Sequence, residues 1–214
     1  MKKMTLALVL SLILVFSVVV GGSLAWLMDT TPEVKNTFTY SDINITLTEE
    51  AGKTDYEFKM IPGWTIAKDP MVTVSVGSED CYVFVKIDKS SNYDTYLNEY
   101  SVDSVWSALV DADTTDSVNV DGVYYHKVAG LTADNATAWT AYVLAGEGTG
   151  ENANGYVSVR DSVTKEQMNA LKESGATMPT LTITAYASQL WKNNSTEFTA
   201  YQAWVNVYGN HAIP

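Results

Sequence analysis

A chain of 214 residues suits one sizeable domain once a leader is set aside. Its 46% apolar residues are enough to form a core and exclude wholesale disorder. A formal charge of −12 excludes a basic surface for nucleic acid or anionic membranes; it fits solubility, cation binding or basic partners.

In chain order, the first predicted element is a leader. Lys2 and Lys3 precede an almost wholly apolar run from Leu6 to Val20, and Gly21-Gly22 breaks it. Ser23 and Ala25 then supply small residues at the −3 and −1 positions of a signal peptidase site. This predicts a signal peptide over 1–25, cut between Ala25 and Trp26. The competing reading is an uncleaved anchor, because no charge falls between Thr5 and Met28. Cleavage removes two lysines and no acid, taking the charge to −14. No second apolar run of that length follows, so no stable membrane span is expected after cleavage, and the protein is expected to be secreted. The C-terminus carries no LPxTG-like sorting signal.

Period-two alternation then recurs along the chain, as half-buried strands require. Ile43, Ile45 and Leu47 alternate with Asn44, Thr46 and Thr48. Val72, Val74 and Val76 make a second strand, and Val83, Val85 and Ile87 a third. The Gly77-Ser78-Glu79-Asp80 turn between them suggests a hairpin. Val118 and Val120 lead through Asp121-Gly122 into Val123-Tyr124-Tyr125, and Asp-Gly between strands is a strong two-residue hairpin signal. Trp139–Leu144, Tyr156–Arg160 and Leu181–Ala187 complete the set, with a glycine-rich loop over 146–155.

Helical patches are few. Thr164-x-x-Gln167 reads as a capping box, with Met168 and Leu171 on one face and Gly175 placed to end the helix. Tyr93–Tyr100 suggests a short turn or helix, and Tyr201–Val207 is ambiguous between helix and strand. Eight or so short strands without a regular repeat or linker predict a mainly β fold. The expectation is an antiparallel, jelly-roll-like β-sandwich over 39–214 with a few short helices, since antiparallel strands must close or shield their edges.

Chemistry-bearing motifs are missing. There is no HExxH helix, no G-x-S-x-G elbow, no P-loop and no GxGxxG. His126 and His211 are the only histidines, and His126 is expected to be structural. The single cysteine, Cys81, cannot form an intramolecular disulfide and is expected to be buried on a strand face. Asp111, Asp113, Asp116 and Asp121 cluster in a Ser/Thr-rich loop, but their spacing misses the EF-hand pattern. A solvated acidic loop is the expectation, with calcium as the alternative. Trp64, Trp106, Trp139, Trp191 and Trp204 could stack on sugars, yet core packing is expected for all five. No catalytic residue, cofactor or metal is expected, and the chain does not read as an enzyme.

Several blocks resemble one known family. Gly21-Gly-Ser-Leu-Ala-Trp-Leu-Met-Asp29, Asn36-Thr37-Phe38-Thr39 and Asp42-Ile-Asn-Ile-Thr-Leu-Thr-Glu49 resemble the leader and first strand of proteins processed by the dedicated signal peptidase SipW. Pro62-Gly63-Trp64-Thr65-Ile66, Lys68-Asp69-Pro70, Tyr82–Lys86, Gly122–Tyr125, Ile183–Gln189 and Ala203-Trp204 are similar to the TasA/camelysin family. The matches span most of the chain, with the middle third weakest. The resemblance implies a jelly-roll core and export from a Gram-positive bacterium as a subunit of extracellular biofilm-matrix fibres. It further implies that residues 26–38 act as a donor strand in the next subunit, with Trp26, Met28, Val34 and Phe38 as anchors. The alternative is that this segment folds back or stays disordered. Partners are then further copies of the chain, other matrix proteins, and the signal peptidase during export. Camelysin-like relatives have been assigned metallopeptidase activity, for which this sequence supplies no ligand set. A non-assembling surface binding module is the other reading.

Overall fold

The computed structural model describes residues 42–49, 59–111, 118–146 and 154–211, together with 3–5, 7 and 9–11. The chain divides into two compact units, 1–40 and 41–214. In the first, the described residues are helical and exposed. The second is mainly β, with eleven strands and three helices among the described residues.

Two antiparallel sheets form the body. Sheet 1 has the order β1 (Ile45–Thr48), β3 (Met71–Val74), β7 (Trp139–Tyr142). Sheet 2 has the order β5 (Ser107–Val110), β6 (Asn119–Val128), β4 (Cys81–Lys89), β9 (Leu181–Gln189). Two smaller pairs complete the set: β2 (Thr65–Ala67) with β8 (Tyr156–Ser158), and β10 (Trp191–Asn193) with β11 (Thr196–Glu197).

Alternation along β4 explains the layering, because successive side chains point to opposite faces. Cys81, Val83, Val85 and Ile87 face a core shared with Val72 and Val74 of sheet 1. Tyr82 and Phe84 face the other way, into a second core with Leu109, Val123, Ala203 and Trp204. A strand covered on both faces needs a near-continuous apolar run, which Cys-Tyr-Val-Phe-Val supplies. Each fully buried Val or Phe contributes about 1.5–3 kcal/mol. Cys81 is fully buried as expected; burial, with the Asp80 carboxylate beside it, pushes its thiol up to about 11.

The second core is roofed by α3 (Ala200–His211), which resolves the ambiguous segment as a helix. Its start is fixed by a second capping box. The Gln202 amide donates to Thr199 Oγ1 at 3.2 Å, and the Thr199 amide donates to Gln202 Oε1 at 3.3 Å. The anticipated box at Thr164 and Gln167 is also present, opening α2 (Lys165–Ala170), with Leu171 buried beyond it. That helix stops at Ala170, before Gly175.

Two expected hairpins are corrected. β3 and β4 do not pair: β3 lies between β1 and β7, while β4 lies between β6 and β9. The turn at 77–80 therefore crosses between sheets, which adjacency in sequence cannot distinguish from a hairpin. Asp121-Gly122 is not a turn either, since β6 runs through it from Asn119 to Val128. Gly122 has φ of +65° inside the strand, and the β5–β6 register shifts between Ala108 and Val110. The pair forms a bulge, for which glycine's freedom at positive φ is equally suited.

A third cluster gathers around α1 (Tyr93–Tyr96): Tyr93, Tyr96, Leu97, Val159, Val163 and Leu171. Tyr93 is fully buried, and its hydroxyl has no hydrogen-bond partner among the described residues. Burial pushes that hydroxyl up to about 12. An orphaned buried hydroxyl carries a desolvation cost without a bond to offset it. Tyr93→Phe should therefore leave stability unchanged or raise it by up to about 1 kcal/mol in urea titrations. A loss of that size would show that the hydroxyl is satisfied in solution.

Candidate functional site

The anticipated cleavage pair Ala25 and Trp26 and the anticipated anchors Met28, Val34 and Phe38 lie outside the described residues. Among the described residues, no helix is long and apolar enough to cross a membrane. The described residues carry instead the edges of the two sheets.

One side of the sandwich is closed by aromatic packing. Trp106, just before β5, donates its indole N–H to the Tyr142 carbonyl of β7 at 2.7 Å. The His126 ring of β6 stacks on Trp139 of β7, centroids 4.8 Å apart at 11°. Trp106 meets Trp139 edge-on at 5.6 Å. His126 Nδ1 lies 2.9 Å from the Val105 carbonyl, so this histidine has a structural role at the seam. Indole and imidazole thus tie β5 and β6 of sheet 2 to β7 of sheet 1.

The opposite side, where β1 runs beside β9, is different. Ile43, Ile45 and Leu47 from the β1 segment, and Leu181, Ile183 and Ala185 from β9, pack on the core yet stay only half-buried. Sheet 1 has three strands among the described residues, against four in sheet 2. The C-terminal end of β1 is tied by Lys68, whose ammonium lies 3.0 and 2.8 Å from the two Glu49 carboxylate oxygens. The apolar alternation that predicted these strands thus ends in a seam that is half-exposed and bridged by no further strand among the described residues.

The tryptophans divide. Trp106 and Trp204 are buried, as expected. Trp64 is 61% exposed and Trp191 42%, which corrects the expectation of core packing for both. Trp64 follows the Pro62-Gly63 turn, beside exposed Ile61. Trp191 lies in β10, where every residue of the β10–β11 pair is exposed; its indole N–H donates to Asp80 Oδ2 at 3.2 Å.

Of the acidic cluster, Asp113 and Asp116 lie outside the described residues. The Asp111 amide donates to the Val118 carbonyl at 2.8 Å, closing the base of that loop. Asp121 belongs to the bulge of β6. No group of three His, Cys, Asp or Glu side chains with metal-binding placement occurs among the described residues. An open groove of about 490 Å³ runs between α3 and the start of β6, with Tyr201, Val205 and Tyr208 facing Val118 and Val120.

Family models, curated proteins and solved structures gave no match to the chain. The motif blocks fall on coherent elements. Asp42–Glu49 contains β1, Tyr82–Lys86 is the middle of β4, Ile183–Gln189 is most of β9, and Ala203-Trp204 anchors α3.

Proposed function

We propose that the protein is a secreted structural subunit of extracellular, biofilm-matrix fibres, TasA-like in kind and without enzymatic activity. A signal peptidase releases it before Trp26. Residues 26–38 of one subunit then add as a strand to the next, and Trp26, Met28, Val34 and Phe38 fill apolar positions. On this reading the sandwich is jelly-roll-like, with the donated strand adding to the three described strands of sheet 1. Other matrix proteins are further partners.

The observation that carries this reading is the open seam beside β1. Sheet 1 is one strand short of sheet 2 among the described residues, and Ile43, Ile45 and Leu47 are half-buried at its end. Main-chain bonds to a free edge supply affinity, and alternate side chains supply register. Thirteen extended residues span about 43 Å, ample for a four-residue edge. Pro32 has no N–H, so it must sit where its nitrogen faces away from the ladder. Head-to-tail addition of this kind does not close and so gives filaments. With a mature charge of −14, stacked subunits repel, and salt, divalent cations or mild acid should promote growth.

A labelled peptide of residues 26–38 tests the contact directly. It should bind the 39–214 chain saturably in fluorescence anisotropy, and a peptide with Val34 and Phe38 replaced by serine should not. Equal binding of both peptides would remove the role given to the anchors. A second reading, a non-assembling surface binding module, draws on exposed Trp64 beside exposed Ile61. It expects no peptide binding and a stable monomer.

A further inference from the structure

Four strands end the two sheets among the described residues: β1 and β7 in sheet 1, β5 and β9 in sheet 2. Exposed edges are ordinarily blunted by shortness, bulges, charge or proline, since a free row of N–H and C=O groups invites pairing with another chain. Three of the four are blunted. β1 and β7 have four residues each, and β5 pairs through a register shift. β9 has none of these devices. It pairs with β4 in one unbroken register of nine residues, from Lys89↔Leu181 to Cys81↔Gln189. Its sequence, Leu-Thr-Ile-Thr-Ala-Tyr-Ala-Ser-Gln, holds no charge, proline or glycine. Leu181, Ile183 and Ala185 on one face, and Thr184 and Tyr186 on the other, remain half-exposed.

We propose that β9 pairs edge to edge, antiparallel, with β9 of a second copy, joining two four-stranded sheets into one of eight strands about a two-fold axis at Ala185. The occupant is a second copy because the edge is complementary to itself. Centring on Ala185 pairs all nine residues. It sets Ile183 opposite Ala187 and Leu181 opposite Gln189 on the core-facing side. On the other side Thr184 meets Tyr186 and Thr182 meets Ser188. The bulkiest side chains, Ile183 and Tyr186, thus meet smaller partners. Charge points the same way. The chain carries −12 overall, so two copies repel across most surfaces, but this edge brings no like charges together. A neutral edge offers nothing to a basic partner, which the acidic remainder would draw elsewhere. The pairing is isologous, so it closes at two copies. It uses the β9 edge, and because β1 runs beside β9 it draws on the same side of the sandwich as strand donation beside β1; the two are alternative uses of that side, which the experiment below separates.

Ala185→Cys tests it. Directly opposed residues of an antiparallel pair have Cα atoms about 4.5–5.5 Å apart, within reach of a disulfide. Under mild oxidation this variant should run as a covalent dimer on a non-reducing gel. Ile183→Cys, displaced from the axis, should remain mostly uncrosslinked. The native Cys81 is fully buried and should not contribute. Thr184→Lys places two cations near the axis. It should shift the protein from dimer to monomer in sedimentation velocity with its circular dichroism spectrum unchanged; the new lysine also stands opposite Lys86 within the chain, so a modest fall in melting temperature accompanies it. No cross-link at Ala185, or equal cross-linking at Ile183, overturns the pairing, as does sedimentation that Thr184→Lys does not alter. Filaments without the Ala185 cross-link would overturn this inference alone. The cross-link without filaments would uphold it while removing the fibre reading.

Discussion

Replacing Trp204 by alanine should cost about 3–5 kcal/mol and free α3 from sheet 2. Trp204 is 4% exposed, and its ring lies 5.4 Å from Phe84, 5.4 Å from Tyr186 and 4.5 Å from Tyr208, stacked on the last at 12°. A twelve-residue helix is marginal alone in water and holds its shape through the face it docks. Removing the indole leaves a cavity against Phe84 and Tyr186 and takes away the ring on which Tyr208 stacks. For a domain of this size the loss corresponds to a fall of roughly 6–20 °C in melting temperature. Circular dichroism melts of Trp204→Ala and Trp64→Ala make the comparison. Trp64 is 61% exposed, so its truncation should change stability by less than about 0.5 kcal/mol. Equal effects at both positions would contradict the docking of α3 described above.

Gly122→Ala should be the second severe substitution. A Cβ there would lie 2.3 Å from the Ile87 carbonyl oxygen, and φ is +65°. That oxygen is backbone of β4, the strand paired on both sides at the centre of sheet 2, so relief requires moving β4 against β6. Holding a non-glycine residue in the left-handed region costs about 1–3 kcal/mol by itself, and the clash adds to it. Gly77→Ala is the matched control: φ is +87°, but a Cβ would meet nothing within 4 Å. Urea midpoints should fall for both, with a stability loss of about 2 kcal/mol or more for Gly122. If Gly122→Ala proved no worse than Gly77→Ala, the bulge would not be held as tightly against β4 as its geometry indicates.

Most strands were legible because alternation survives wherever one face of a sheet is buried. Ile45 and Leu47, Val72 and Val74, and Ile183 and Ala185 all point to the shared core, and each pair stood out in the sequence. What alternation cannot report is which strand lies beside which. The turn at 77–80 therefore looked like a hairpin although it joins two sheets. Asp121-Gly122 was misread because a tight turn and a bulge make the same demand on glycine. In α3, Trp204 and Tyr208 sit on one face, but Val205 and Val207 between them favour strands. The missed signal was Thr199-x-x-Gln202, the same capping pattern that correctly placed α2. Among candidate site residues, the exposed Trp64 and Trp191 were not separable from buried Trp106 and Trp204 by residue type alone. The half-exposed side between β1 and β9, among the described residues, is a property of topology and has no local signature. Only the lack of charge along Leu181–Gln189 hinted at it.

The central claim is that the chain assembles through its own residues 26–38. Negative-stain microscopy of the 26–214 and 39–214 chains, side by side at neutral and mildly acidic pH, tests it most directly. The account predicts regular filaments one subunit wide from 26–214 and dispersed particles from 39–214. Filaments from the truncated chain, or dispersed particles from both, would contradict it.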